Sequence, residues 1–397
     1  MIEILLNLPL ILSVIIFPFI RPINIIQCIL ILSTLSNEYV AAGVMFIGLL
    51  ICVFKLRSNK IFSFESNNLL YYLIWLIYSF ITIVFVSDLF RFITEFLQLI
   101  LIISYMYLYR YIIDDTNKFY KILKSLIFTG LITTLICIFT YFKEGEVNNN
   151  YYAFIILICN VIIPICIFDI TKLKEFMKLL LLVSIAIIGI NVNDSRASLL
   201  LVFISIFIRF FILIRFNKTL KIAIVIFGLI IGYIAGLYIY NSSDDNILKS
   251  VSDTERNFSN LERIALINYS YQLFIDNPLG YGLGSSNEIF LKTNFTEGVY
   301  PHPHNSLAHI AVELGFIGVL IFILTFVKLN RSIVALKNGI SLDQLKLYNL
   351  GILIFYNLLL FSLIEDFYFN GILSFYCLSF VGLILAINPL YFRKVAA

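Results

Sequence analysis

The feature that most constrains this chain is a succession of apolar runs, each close to the ~20 residues that a helix needs to cross a bilayer. They lie near residues 4–20, 23–36, 38–54, 69–87, 92–113, 121–142, 151–169, 178–193, 197–214, 221–240, 305–327, 347–364 and 370–388. In hydrocarbon every backbone N–H and C=O needs an internal partner, which leaves only helices or a closed β-barrel. Runs of this length, rather than ~10-residue alternating segments, select the helix. Composition agrees: 61% of the 397 residues are hydrophobic and 13% charged, where a soluble domain has about a quarter charged. The expected fold is an all-α, polytopic transmembrane bundle. It has twelve or thirteen spans, depending on whether 23–54 makes two short crossings or one with an unwound flank.

Charge orders these spans. Lys and Arg gather in alternate connections: Lys55/Arg57/Lys60, Arg110/Lys118/Lys121/Lys124, Lys172/Lys174/Lys178, Arg209/Arg215/Lys218/Lys221, Lys328/Arg331/Lys337/Lys346 and Arg393/Lys394. The positive-inside rule assigns them, and the C-terminus, to the cytoplasm. The intervening connections at 87–88, 143–150, 191–196, 241–300 and 366–370 then face outward. This divides the chain into an N-terminal membrane bundle (1–240), a large outer loop (241–304) and C-terminal spans with a tail (305–397). The N-terminal run has no basic leader or cleavage site and is expected to remain as a membrane segment. All six cysteines sit in apolar runs without metal-ligand or redox spacing, so packing is their expected role. The net charge of +4 follows from the basic loops and implies no nucleic-acid partner.

The long outer loop is too polar for lipid and too long for a turn. Within it Leu261, Ile264, Ala265, Asn268, Tyr271, Phe274 and Ile275 recur at helical spacing, which predicts an amphipathic helix along the membrane surface. The stretch Asp276-Asn277-Pro278-Leu279-Gly280-Tyr281-Gly282-Leu283-Gly284 ends it, because proline and repeated glycines resist helix.

All three histidines, His302, His304 and His309, fall within eight positions at the end of this loop. Pro303 suits the first position of the following helix, with His304 and Asn305 in its first turn. Backbone donors at a helix N-terminus favour anions and disfavour imidazolium. His304 is therefore a candidate general base. His309, about a turn deeper, is a candidate for support. Glu313 is an ionisable group in an apolar helix and should be paired or face a wet cavity, while Gly315 and Gly318 permit close helix packing. Arg196 runs against the positive-inside bias, so it is either a snorkelling anchor or an anion ligand. Arg256 and Arg263 either pair with the adjacent Glu255 and Glu262 or contact an anion. No P-loop, dinucleotide fingerprint, HExxH or Ser/His/Asp signature is present. Apart from Glu313, the spans are expected to lack the paired charges of a proton-coupled transporter. Arginines, a histidine and an asparagine on one outer face suit a diphosphate-bearing substrate and a hydroxyl nucleophile.

Taken together, Ser195-Arg196-Ala197-Ser198-Leu199-Leu200, Glu262-Arg263, Asp276 to Gly282, His302-Pro303-His304-Asn305 and Glu313-Leu314-Gly315 with Gly318 resemble the O-antigen polymerase and O-antigen ligase superfamily over about residues 190–325. The resemblance implies a C-type bacterial inner-membrane glycosyltransferase with its active site facing the periplasm. It would need neither metal nor cofactor, and its donor and acceptor would be undecaprenyl-diphosphate-linked oligosaccharides in the membrane lipid, with a chain-length regulator as a further partner. Arg196 and Arg263 match the family arginines that hold the diphosphate, and His304 matches the histidine that activates the acceptor hydroxyl. Asn305, His302, His309, Arg256 and Glu313 are expected to support them. Ser-Leu after Asn305, where many ligases carry an acidic residue, leans toward a polymerase of lipopolysaccharide biosynthesis. A ligase acting on lipid A-core, a capsule or exopolysaccharide polymerase, and a flippase of lipid-linked sugars are the alternatives.

Overall fold

The computed structural model describes residues 2–35, 38–57, 67–113, 115–144, 150–169, 172–193, 195–209, 254–292, 303–334, 342–366, 375–377 and 379–383. Among the described residues the regular structure is all helical, with no strand. In chain order the helices are α1 (Ile2–Ile16), α2 (Pro22–Thr34), α3 (Glu38–Arg57), α4 (Asn67–Ile81), α5 (Leu89–Ile112), α6 (Thr116–Glu144), α7 (Asn150–Leu157), α8 (Ile163–Ile167), α9 (Leu173–Val192), α10 (Arg196–Ile208), α11 (Thr254–Asp276), α12 (Ser286–Leu291), α13 (Ser306–Val334) and α14 (Leu342–Ser362). A π-turn at Ile158–Ile162 joins α7 to α8. Where they are described, the apolar runs fold as helices, and 23–54 forms two of them. Among the described residues five helices are long and apolar enough to cross a membrane; the rest of the apolar helices are shorter. The run 221–240 lies outside the described residues.

Local chemistry sets several helix starts. Asp88 accepts a hydrogen bond from Arg91 N at 3.1 Å and caps α5. Asp115 accepts from Lys118 N at 2.7 Å ahead of α6, and Ser195 from Ser198 N at 3.4 Å ahead of α10. Each satisfies a backbone donor that the first turn leaves unpaired.

Helix α13 is the hub, packing on α4, α11 and α14. Trp75 of α4 meets the edge of Phe322 at 5.8 Å, Phe322 contacts Phe326 at 4.8 Å, and Phe326 contacts Phe355 of α14 at 5.8 Å. In lipid the alternative to these contacts is also apolar, so close packing rather than removal from water holds them, with ~1 kcal/mol for each favourable ring pair. On the other side of α14, Phe154 of α7 stacks on Phe361 at 3.8 Å. Arg209, after α10, donates to Ile165 O at 3.3 Å, while Ser205 meets Asn357 at 3.1 Å. Helix α10 therefore runs alongside α7 and α8 and opposite to α14. Its first residue, Arg196, lies at the end of the bundle where α14 terminates.

The sequence reading is corrected at α13. It is not one continuous helix: Gly315 has φ 61° and ψ −159° and breaks it. The glycine serves a backbone crossing more than helix packing. The loop after α11 is inserted at the break and takes over the released hydrogen bonds. Tyr281 N donates to Val312 O at 2.9 Å, Gly282 N to Glu313 O at 2.8 Å, and Phe316 N to Pro278 O at 2.8 Å. Tyr78 Oη donates to Leu314 O at 3.0 Å. The accounting that buried backbone demands is thereby met without helix continuity. A Cβ on Gly315 would stand 2.3 Å from Pro278 O, and one on Gly280 would stand 2.4 Å from Glu313 O. No other residue permits that approach.

Helix α11 runs from Thr254 to Asp276. The stripe that the spacing marked as apolar, with Ile264, Tyr271 and Ile275, is exposed. A second stripe, Leu266 and Leu273, forms a satellite core with Phe290 and Val312. The helix is apolar on two faces, and periodicity alone found the one that does not face the protein.

Candidate functional site

The site is built where the end of α14, the start of α13 and the middle of α11 meet. Helix α13 begins at Ser306, capped by Asn305, whose Oδ1 accepts from Ala308 N at 2.9 Å. Pro303 and His304 therefore precede the helix rather than forming its first turn. The Asn305 Nδ2 donates to Leu363 O at 2.8 Å, and Ser306 Oγ donates to Glu365 O at 3.0 Å. These two bonds fasten the α13 cap to the exit of α14. Between them His304 adopts φ 49°, the left-handed region that is costly for a side chain larger than glycine. Such a residue persists where its surroundings hold it.

What holds it is Glu365. Its carboxylate is 1% exposed, and its two oxygens diverge: Oε2 meets His304 Nδ1 at 3.1 Å and Oε1 receives Arg263 Nη2 at 3.2 Å. His304 is 12% exposed and Arg263 32%, so this cluster opens to solvent on the histidine and arginine side. With Nδ1 on a carboxylate the ring is oriented and Nε2 is turned away from Glu365. This is the arrangement by which a carboxylate positions a histidine base. Arg263 has five N–H donors in a planar fork, so a bond to Glu365 leaves it able to meet an oxyanion as well.

A second buried cluster lies directly beneath. The Asp366 carboxylate bonds His309 Nδ1, while Nε2 of the same ring meets Ser286 Oγ at 2.7 Å and Glu313 Oε1 at 3.0 Å. Glu313 Oε1 also receives Ser286 N at 3.1 Å. The expectation that Glu313 is paired is met. His309 has both ring nitrogens engaged by carboxylates, which makes it a brace rather than a reactive group. Glu95 and Arg91 of α5, paired at 3.1 Å, stand under Gly284 at the edge of this cluster. Glu95, in the second turn of α5, adds a further carboxylate at this end of the bundle.

The loop face is pinned by hydrogen bonds to Ser87 and Thr82. Glu288 of α12 accepts from Lys292 and from Ser87, and these bonds hold its exposed carboxyl below the usual carboxylate range, Lys292 contributing most. Leu283 N donates to Thr82 Oγ1 at 3.2 Å. Connections that sequence assigns to one side of the membrane, at 87–88, 277–285, 304–305 and 363–366, thereby gather at one end of the bundle.

Of the residues singled out from sequence, His304, Arg263, Asn305, His309 and Glu313 come together. Arg196 opens α10 at the same end, and Arg256 lies two turns before Arg263 in α11, but both side chains, and the whole of His302, lie outside the described residues. Sequence reasoning missed Glu365, Asp366, Ser286, Glu95 and Arg91. A signal existed for the first two: adjacent acids closing an apolar run are expensive unless partnered. Ser286 carried none.

Comparison with known proteins agrees in placement with this geometry. Residues 181–323 match the family described as O-antigen ligase. The match takes in Arg196, Arg263, His304, Asn305, His309 and Glu313, and ends before Glu365. A protein of Rickettsia bellii described provisionally as a polysaccharide ligase is 28% identical over 239 residues, covering 54% of this chain and 56% of that protein. The chain thus spans little more than half the length of that relative. Both similarities point to the O-antigen polymerase and ligase superfamily, with the family match confined to residues 181–323.

Proposed function

We propose that the chain is a polysaccharide glycosyltransferase of the bacterial inner membrane, acting at the periplasmic face on undecaprenyl-diphosphate-linked glycan. The observation that carries this reading is the Glu365 carboxylate shared between His304 and Arg263. The acceptor sugar hydroxyl attacks the anomeric carbon of the donor, and the bond from that carbon to the diphosphate breaks. His304 Nε2 takes the hydroxyl proton. The departing lipid diphosphate gains negative charge, which Arg263 and Arg196 stabilise through guanidinium–phosphate contacts. Glu365 touches neither partner; it orients the imidazole and balances the imidazolium as it forms.

The favoured acceptor is the non-reducing end of a new lipid-linked repeat, which makes the enzyme an O-antigen polymerase. Asn305 followed by Ser306 and Leu307, without an acidic residue, favours this choice. The ligase reading, transfer of finished glycan to lipid A-core, is supported by the descriptions of the matched family and of the Rickettsia bellii protein. Complementation of polymerase-null and ligase-null strains separates the two. A polymerase restores long, lipid-linked glycan without a ligase. Rescue of attachment to lipid A-core alone would instead establish the ligase, and rescue of neither would remove both readings.

A further inference from the structure

Helices α10 and α14 pack on each other, and a polar pair lies in their contact. Asn357 Nδ2 donates to Leu353 O of its own helix at 2.8 Å and to Ser205 Oγ at 2.9 Å, and that hydroxyl also reaches Leu201 O of α10 at 2.7 Å. A chain of hydrogen bonds therefore runs from the backbone of one helix to the backbone of the other. Both side chains are fully buried, inside apolar helices where a polar group is expensive. Local satisfaction does not call for the pair. With leucine at 357, Ser205 would still have Leu201 O, and no donor or acceptor of the pair would be stranded.

What the pair supplies is register. Association of apolar helices in lipid gains nothing from leaving water, and a buried polar contact between helices fixes their axial register at a cost in stability. That register bears on the site, because from the pair α10 and α14 both reach the His304 end of the bundle. Toward that end Arg196 opens α10 ~13 Å from Ser205, and Glu365 lies ~12 Å from Asn357, at 1.5 Å per residue. Helical hydrogen bonding continues past α14 to Glu365, whose N–H donates to Phe361 O at 2.8 Å. The backbones of Arg196 and Glu365 thus end level with each other. A slip of one turn would offset them by ~5.4 Å, well beyond what a guanidinium–phosphate contact of ~2.8 Å tolerates.

We propose that Ser205 and Asn357 are a positioning pair, which holds α10 at the height where Arg196 shares the donor diphosphate with Arg263, the arginine that Glu365 holds. The role in transfer rests on the reading of Arg196 and Arg263 as diphosphate ligands; the register does not.

The register is read without any glycan, by double electron–electron resonance between spin labels at Leu200→Cys of α10 and Leu363→Cys just past α14. Both positions are exposed, and the native cysteines are replaced by alanine. With the pair intact the distance distribution is narrow, and Ser205→Thr, which keeps the hydroxyl, leaves it so. Ser205→Ala and Asn357→Leu should broaden it or shift its centre by up to ~5 Å, while Asn357→Leu unfolds no earlier than the wild type. An unaltered distribution in both variants overturns the inference, whatever reaction the protein catalyses. In the transfer assay Asn357→Leu should lower kcat/KM for the donor by about 10²-fold, the scale of a misplacement by ~1 Å. In an Arg196→Ala background the same substitution should cost almost nothing further, because the pair acts through that arginine. An equal loss in both backgrounds overturns the action through Arg196. Absence of transfer by the wild type would instead remove the proposed reaction, and the distance measurement would still decide the register.

Discussion

Glu365 and Asp366 are neighbours in the chain and serve two different histidines. The first holds the solvent-facing His304 and Arg263, and the second closes the buried His309–Glu313 pair. Their substitutions should therefore separate rate from stability. Glu365→Gln keeps the shape but removes the charge that balances imidazolium and one of the two oxygens that meet His304 and Arg263. Glycan transfer is expected to fall by about 10²-fold, the scale of a general-base contribution, with the unfolding temperature nearly unchanged. Asp366→Ala leaves the buried His309 Nδ1 without its hydrogen-bond partner and should cost ~1–3 kcal/mol, read as a lowered unfolding temperature. A Glu365→Gln variant with full transfer would remove the positioning role. At Arg263 the contrast is between Ala and Lys: Ala should weaken donor use more than Lys, while Lys still falls short of the wild type because a point charge cannot reproduce the planar fork. Apparent KM for the lipid-linked donor is the measurement, and indifference to Arg263→Ala would remove this residue from the diphosphate site.

At the scale of the element, the crossing of the loop after α11 with the broken α13 positions the site. It brings Ser286 to Glu313 and His309, and it rests on two glycines whose added Cβ atoms would meet backbone rather than a yielding side chain. Gly315→Ala combines a left-handed φ with that collision and should destabilise the protein by more than ~2 kcal/mol. Gly280→Ala should do the same. Thermal unfolding in detergent measures both, and a wild-type midpoint for Gly315→Ala would mean that the break is not required. This element also marks where sequence reading stops. The glycines after Pro278 announced a loop, and Gly315 announced close packing. That the two are one contact, 35 residues apart in the chain, depends on tertiary placement that no local spacing encodes. His304 was legible because histidine is so scarce here. Its partner Glu365 lies 61 positions away, just past the end of α14, and only the packing of α13 on α14 joins them.

For the whole molecule, the arrangement is polar: the histidine clusters and the inserted loop occupy one end, and Arg21, Lys55, Lys118 and Arg209 occupy the other. Alternating loop charge anticipated this separation, because the positive-inside bias is a property of composition and needs no tertiary contact. Single cysteines at Ser87 and Lys172 should accordingly react with a membrane-impermeant maleimide from opposite sides, Ser87→Cys in intact spheroplasts and Lys172→Cys only after lysis. Labelling of both from the same side would contradict the topology. Only five helices reach spanning length among the described residues, so the crossing number is a matter for such labelling rather than for hydropathy. The central claim, transfer of glycan with His304 as base, is tested most directly with purified protein and an undecaprenyl-diphosphate-linked repeat as both donor and acceptor. The wild type should build a lipid-linked ladder, and His304→Ala should lose elongation by ~10²–10⁴-fold while still binding the donor. A ladder of undiminished length and rate from His304→Ala would contradict the account.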